Sequence, residues 1–305
     1  MSRVELSAVV VAWRAASDVA ELVAAWPTDA RAELLIVDQS RELPAAYPNA
    51  RVLRPERNLG FAGGANFGAA AAAGSSLLFL NPDVRPEPGA IAALVDGFAA
   101  HPEAAGLVPR LAGFDGAPQH AWQLRRLPAP LALLAHAGFV NPGGGPRAEP
   151  AAGTPIEQPA AAALALDRAR FERLGGFDAG FFTAWFEDVD LAKRYATAGE
   201  RLLYFPRARF RHRQGSSVAT LGYRAFLEAY DRNLARYLAK HHGRAWALAF
   251  RALVPPAALA RLLLLPLRRP QRAASRGAAA AALLAVAAGS LRGWPLAAEA
   301  IERAR

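Results

Sequence analysis

At 305 residues the chain can bury a core of domain size, which suits one large α/β domain with an appendage better than two equal halves. It has no cysteine, and this excludes a disulfide framework, a thiolate metal site and a cysteine nucleophile. A net charge of +10 selects for partners that carry negative charge.

The chain begins MSRVELSAVVVAW, with an acidic residue ahead of a short apolar run and no small-residue cleavage site. This reads as a buried first strand, Leu6 to Ala12, rather than a signal peptide, and it gives a cytoplasmic protein as the expectation. β-branched apolar runs then alternate with helical patterns, the mark of βαβ units and a mostly parallel sheet. A helix over Asp18–Trp26 is followed by a strand over Glu33–Val37 that ends at Asp38. A short strand over Ala50–Leu53 leads through a loop into a small-residue helix over Gly63–Ala73. The fourth strand, Ser76–Leu80, ends at Asn81-Pro82-Asp83. Ligands in open α/β sheets bind outside the carboxyl ends of the strands, where Asp38 and Asp83 both fall.

Pro86–Ala100 reads as a helix, with its prolines confined to the first turn. The stretch His101–Pro159 is less regular, and Asn141–Pro155 within it, rich in Gly and Pro, is a candidate lid. Structure resumes with a strand over Ala160–Leu166, a helix near Arg168–Leu174, the turn Gly175-Gly176-Phe177-Asp178, and a helix over Glu187–Ala198. A last strand, Arg201–Phe205, precedes the basic segment Arg207–Arg213. From Thr220 onward the pattern is helical. The boundaries that follow are a catalytic domain over 1–218 and a helical extension over 219–305. From His241 onward the extension carries ten arginines against Glu299 and Glu302 only. No aromatic-interleaved basic stripe or DNA-reading motif accompanies them, so a membrane surface ranks above nucleic acid as the partner.

Four stretches carry chemistry. Asn58-Leu59-Gly60-Phe61-Ala62-Gly63-Gly64-Ala65-Asn66 clusters glycines between a strand and a helix, where backbone can approach a diphosphate closely. The bland alternative is tight packing of a small-residue helix. Asn81-Pro82-Asp83 sets a carboxylate at a strand end, suited to Mg2+ or Mn2+ together with substrate phosphates, or to an Asx turn. Phe186-Glu187-Asp188-Val189-Asp190 opens a helix with three carboxylates. The helix dipole favours such residues, by about 0.3 to 1 kcal/mol each, but three within four residues repel one another. Arg194 can satisfy Asp190 at i+4, which leaves Glu187 and Asp188 for acid–base work. His212, among Arg211 and Arg213, stands where a second metal ligand could come from, and those arginines could neutralise phosphate.

In this order the stretches resemble family 2 of the inverting glycosyltransferases, with the GT-A fold, and its rhamnosyltransferase-like and galactofuranosyltransferase-like branch. The resemblance covers Glu5 to Ser217, and Asp231-Arg232-Asn233-Leu234 and Gly289-Ser290-Leu291-Arg292-Gly293 are similar to the tail of that branch. It implies a Rossmann-like, mostly parallel sheet flanked by helices, and a nucleoside-diphosphate sugar donor of dTDP or UDP type, with rhamnose as the sugar. The implied acceptor is a glycan or lipid-linked glycan, and the implied location is the inner face of the cytoplasmic membrane. By the same resemblance Asp38 binds the base, and Asn58, Gly60, Phe61, Gly63, Gly64, Asn66, Asn81 and Glu187 line the donor site. Asp83 and His212 hold a divalent cation, and Asp188 is the catalytic base. The rival readings are a sugar nucleotidyltransferase, which lacks its signature Arg and Lys here, and a non-catalytic scaffold, which would be expected to lose the base or the metal ligand.

Overall fold

The computed structural model describes residues 4–135, 137, 145–213, 221–267, 270 and 272–294. The chain forms two compact units, one of 1–127, 144–179 and 187–217, the other of 128–143, 180–186 and 218–305.

The first unit is built on an eight-stranded sheet in the order β3-β2-β1-β4-β9-β6-β10-β5. Its strands are β1 (Leu6–Ala12), β2 (Ala32–Asp38), β3 (Arg51–Leu53), β4 (Ser76–Leu80), β5 (Val84–Pro86), β6 (Gly106–Ala112), β9 (Ala163–Asp167) and β10 (Leu202–His212). A two-stranded ribbon pairs β7 (Leu124–Arg125) with β8 (Gln158–Pro159). The first four strands of the sheet, β6 and β10 run one way, whereas β9 lies antiparallel to β4 and β6, and β5 antiparallel to β10. The helices are α1 (Ala16–Ala25), α2 (Gly60–Ala70), α3 (Ala90–Ala100), α4 (His120–Gln123), α6 (Arg168–Arg173) and α7 (Glu187–Thr197), with α5 (Pro130–Ala135) in the second unit.

Alternation along the strands supplies two apolar faces. Ala8, Val10, Leu34, Ile36, Leu78 and Leu80 belong to the core shared with α1 and α3. Val9, Leu35, Val37, Leu77 and Phe79 belong to the core on the α2 side. Each fully buried Val, Leu or Phe contributes about 1.5 to 3 kcal/mol. In the second core Phe79, Phe171 and Phe177 pack edge to face or tilted, with centroids 5.0 to 5.6 Å apart.

The helix expected over Pro86–Ala100 is shorter. Pro86 is in β5, and α3 begins after Gly89, whose φ of 82° turns the chain. The expected strand Arg201–Phe205 continues through the basic segment to His212, because a register shift between Phe205 and Arg209 lets Pro206 sit where no ladder hydrogen bond is required. The irregular stretch contains β6 at the heart of the sheet. Of the candidate lid, 141–144 lies outside the described residues. The rest is tied down, with Gly153 N on the Tyr204 carbonyl at 2.8 Å, Tyr204 N on the Thr154 carbonyl at 2.9 Å and the Tyr204 hydroxyl on Glu149 at 2.5 Å.

The second unit is helical, with α8 (Tyr223–His241), α9 (Arg244–Leu264) and α10 (Arg276–Arg292) packed on one another and with Leu234, Tyr237, Phe250, Val254 and Leu283 buried. Ser275 caps α10 by accepting from Ala278 N at 3.0 Å. Trp185 and Phe186 both have positive φ, 74° and 70°, a left-handed conformation that bulky residues adopt only when their surroundings hold it. The holding group is Asn233, fully buried on α8, whose amide donates to the carbonyls of Ala184 and Trp185 at 2.8 and 3.1 Å.

Candidate active site

β4 delivers Asn81-Pro82-Asp83 to its carboxyl end, and β5 follows at once. Because β5 pairs with the end of β10, Val84 faces His212, and Arg213 N donates to the Asp83 carbonyl at 3.1 Å. Two residues far apart in the chain are thereby set side by side, with His212 Nε2 3.5 Å from Asp83 Oδ1 and both side chains 2 % exposed.

The hairpin after β6 brings a third group. Asp115 and Gly116 turn the chain, Gln119 N returns to the Leu111 carbonyl at 3.0 Å, and the Gln119 side chain meets His212. Its Nε2 donates to the His212 carbonyl at 3.0 Å, and its Oε1 lies 2.8 Å from His212 Nδ1. A carbonyl can only accept, so the amide has one sensible orientation and Nδ1 must carry the imidazole proton. Nε2 is left with its lone pair toward Asp83, the tautomer that a metal ligand needs. Burial holds the imidazole below its usual pKa, against the opposing pull of the Asp83 charge. Trp122 packs on the ring, centroids 5.2 Å apart.

One carboxylate oxygen and one neutral imidazole nitrogen on a shared side fit a divalent cation whose other positions go to water and diphosphate oxygens. The nitrogen favours a transition ion such as Mn2+ over Mg2+. Among the described residues no group of three or more His, Asp or Glu side chains gathers, so the protein's share would be this pair.

Asp188 stands in the first turn of α7. Its Oδ2 lies 3.4 Å from Ala161 N, 3.5 Å from Gln158 Nε2 and 3.9 Å from Arg125, and its Oδ1 accepts from Val189 N at 2.8 Å. Arg125 and Gln158 are cross-strand partners in the β7–β8 ribbon, so the ribbon fixes both at once. Ala161 also links the two halves of the site. Its neighbour Ala162 accepts from Asn81 N at 2.9 Å, so the Asp188 carboxylate and the Asp83 loop bond to successive residues of one segment. Glu187 is buried, and its Oε2 has no hydrogen-bond partner among the described residues. Burial first, then the Asp188 charge, push its pKa well above the usual carboxylate range. Asp190 pairs with Arg194 at 2.9 Å, the i+4 bridge expected from spacing.

The other sequence candidates are engaged within the chain. Fully buried Asp38 accepts from Leu43 N and Arg54 Nε, each at 3.2 Å, and from Ser40 N at 3.3 Å. Asn58 accepts from Gly60 N at 2.8 Å, starting α2, and Gly60 takes φ 69°. Gly64 and Gly68 let α2 lie on β1, since an added Cβ would come within 2.9 Å of Val11 and 2.4 Å of Val9. Phe61 packs on Phe177, and Asn66 clamps Phe177 by donating to its carbonyl at 2.7 Å and accepting from its N–H at 2.9 Å. Gly63 sits tight against Leu59. The arginines beside His212 are held by acids, Arg211 by Glu87 and Arg213 by Asp18 and Glu21, and Arg85 also reaches Glu21 at 3.0 Å. This network braces the strands that carry Asp83 and His212 onto α1. Sequence reasoning missed Gln119, Trp122, Arg125 and Gln158, all in the stretch where no periodicity marks an element.

Residues 19–145 match the family model "Glycosyl transferase family 2". The chain is 29 % identical over 230 residues to the N-acetylglucosaminyl-diphospho-decaprenol L-rhamnosyltransferase of Mycobacterium tuberculosis, covering 67 % of this chain and 72 % of that one. The fold is similar to that of GalNAc-T7 with UDP, GalNAc and Mn2+ (TM-score 0.54, 18 % identity, 78 % of this chain), of which it spans about half, 48 %. It is similar also to the mannosyltransferase PcManGT of Pyrobaculum calidifontis in complex with GDP-Man and Mn2+ (TM-score 0.51, 19 % identity, 95 % of this chain and 88 % of that one). A third similar structure is S. aureus TarS 1-349 in complex with UDP-GlcNAc (TM-score 0.51, 14 % identity, 97 % and 83 %). The family match over residues 19–145, the similarity to a rhamnosyltransferase and the GT-A neighbours agree with the sequence motifs, and the chain has the GT-A fold of those glycosyltransferases.

Proposed function

We propose that the chain transfers rhamnose from a dTDP- or UDP-linked donor to a lipid-linked glycan, working as a cytoplasmic protein peripheral to the inner membrane face. The name of the mycobacterial relative supports the sugar and the acceptor class. The observation that carries the mechanism is the continuity of the Asp83–His212 pair with Asp188 through Ala161 and Ala162.

In this reading Asp188 takes the proton of the acceptor hydroxyl as that oxygen attacks the anomeric carbon, on the face opposite the departing diphosphate. One C–O bond forms, the bond to the diphosphate breaks, and the configuration inverts. Arg125, Gln158 and the Ala161 N–H hold the carboxylate in place. Burial and the Asp188 charge disfavour ionisation of Glu187 beside it, which limits the negative charge facing Asp188. Asp83 and His212 would hold a Mg2+ or Mn2+ ion, which when bound offsets the charge of the diphosphate. Gln119 keeps His212 in the ligand tautomer.

The test is Asp188→Asn. Turnover should fall by about 10³-fold, within the range for loss of a general base, while titration of the donor nucleotide gives an unchanged dissociation constant. Wild-type turnover in this variant would remove Asp188 from its role.

A further inference from the structure

A 21-residue helix in the second unit, α9, has apolar residues on both sides. Ala247, Phe250, Val254 and Ala258 face inward, at the spacing of one helical stripe. From Ala245 to Leu264 every exposed position is also Leu, Ala or Pro, without a polar group. Leu248, Leu253, Leu259, Leu263 and Leu264 are 42 to 72 % exposed, and Leu267 just beyond is 83 % exposed. The stripe runs about 30 Å, far more than the scattered leucines of an ordinary surface.

We propose that this outer face of α9 lies in the interface of an anionic lipid bilayer, with its leucines among the acyl chains and the arginines of the helical unit at the headgroups. Charge decides between lipid and a second copy. Residues 232–298 contain ten arginines and one lysine and no Asp or Glu. A second copy of this face would therefore bring like charge against like, whereas an anionic headgroup layer matches it. Arg244, Arg276 and Arg292 are exposed at the ends of α9 and α10. The helix is long and apolar enough to cross a membrane, but its inner stripe packs on α8 and α10, and Arg251 is tied to the Ser290 carbonyl at 2.7 Å and lies over Trp294. One side committed to protein and the other apolar is the arrangement of a helix lying in the plane of the interface. The inference deepens the proposed reading of a lipid-linked acceptor, and its test reads lipid binding without turnover, so either can fail alone.

The experiment is flotation of the full chain with phosphatidylglycerol-containing vesicles and with phosphatidylcholine vesicles, beside the double variant Leu259→Glu/Leu263→Glu. Both leucines are exposed, so circular dichroism and melting temperature should match the parent. The parent should float with the anionic vesicles and weakly with the neutral ones, and the double variant should bind about tenfold less or weaker. A second variant, Arg276→Gln/Arg292→Gln, should lose the preference for anionic vesicles while keeping the apolar contact. Equal flotation of the parent and the leucine variant overturns the proposal. So does a parent that stays unbound and sediments as a dimer that the leucine variant dissociates.

Discussion

Two motif-bearing regions of the sheet domain look alike in sequence and differ in what their polar groups do. Around Asp38 and Asn58–Asn66 the side chains are satisfied by the chain itself, Asp38 by Arg54 and backbone amides, Asn58 by Gly60, Asn66 by both polar atoms of Phe177. Around Asp83, His212 and Asp188 the groups are buried or half-buried but aimed, with a neutral imidazole lone pair toward one carboxylate and long, off-optimum contacts to the Oδ2 atom of the other. We read internal satisfaction as the mark of a framework. We read the long contacts to Asp188 Oδ2, beside a Glu187 whose pKa is raised, as the mark of a site kept for a ligand.

The contrast predicts crossed phenotypes, and the largest belongs to the second region. Asp83→Asn keeps shape and removes charge. Turnover should fall by roughly 10³-fold, as when a pre-organised electrostatic contact to the leaving group is lost, with little change in melting temperature. A large drop in melting temperature with turnover per folded molecule retained would move Asp83 into the framework. Asp38→Ala should do the reverse. It strands Arg54, about a third exposed, and an amide at Leu43, at a cost of about 3 kcal/mol and some 6 to 12 °C in melting temperature. Donor affinity of the folded fraction should hold. If affinity collapses while stability does not, Asp38 contacts the nucleotide directly.

The outcome at Asp38 also bears on how much could be read from sequence. β1 and β4 were legible to the residue, because β-branched or leucine-rich runs ended by Trp-Arg or Asn-Pro-Asp leave little freedom. Asp83, Asp188 and His212 were legible as candidates because a carboxylate at a strand end and a cluster of acids at a helix start are local patterns. The stretch 101–159 was not legible. Within it β6 is flanked by strands far away in sequence, and Gln119, Arg125 and Gln158 acquire meaning only through His212 and Asp188, which no local pattern ties to them. β5 was hidden for the same reason. Its Pro86 resembles the first turn of a helix, while the pairing of Val84, Arg85 and Pro86 with β10 is non-local.

Gln119 sharpens the comparison at the next level down. Gln119→Leu removes the acceptor that holds the Nδ1 proton, so the tautomer with Nε2 protonated becomes accessible and the lone pair toward Asp83 is no longer enforced. Loss of such an outer partner weakens metal affinity by roughly 10- to 100-fold. Mn2+ titration followed by electron paramagnetic resonance should show it, and Gln119→Glu, which keeps the acceptor, should recover part of the affinity. Equal Mn2+ affinity in Gln119→Leu would leave the histidine orientation to Trp122 and the strand alone.

The smallest expected effect is thermodynamic and concerns Glu187. Its folded-state pKa is raised by burial and by the Asp188 charge, so the native state holds this proton at a pH where the unfolded chain has released it. The linkage sign follows. The unfolded state ionises first as pH rises above the usual glutamate range, and stability declines from there up to the raised folded value. Glu187→Gln removes the titrating group while keeping its size. The variant should match the parent near pH 4 and melt higher than it at pH 8, by a few °C for each kcal/mol relieved. A parent whose stability rises over the same interval relative to the variant would mean that Glu187 is ionised in the fold and stabilised by a positive charge, and the division of labour between Glu187 and Asp188 would have to be reversed.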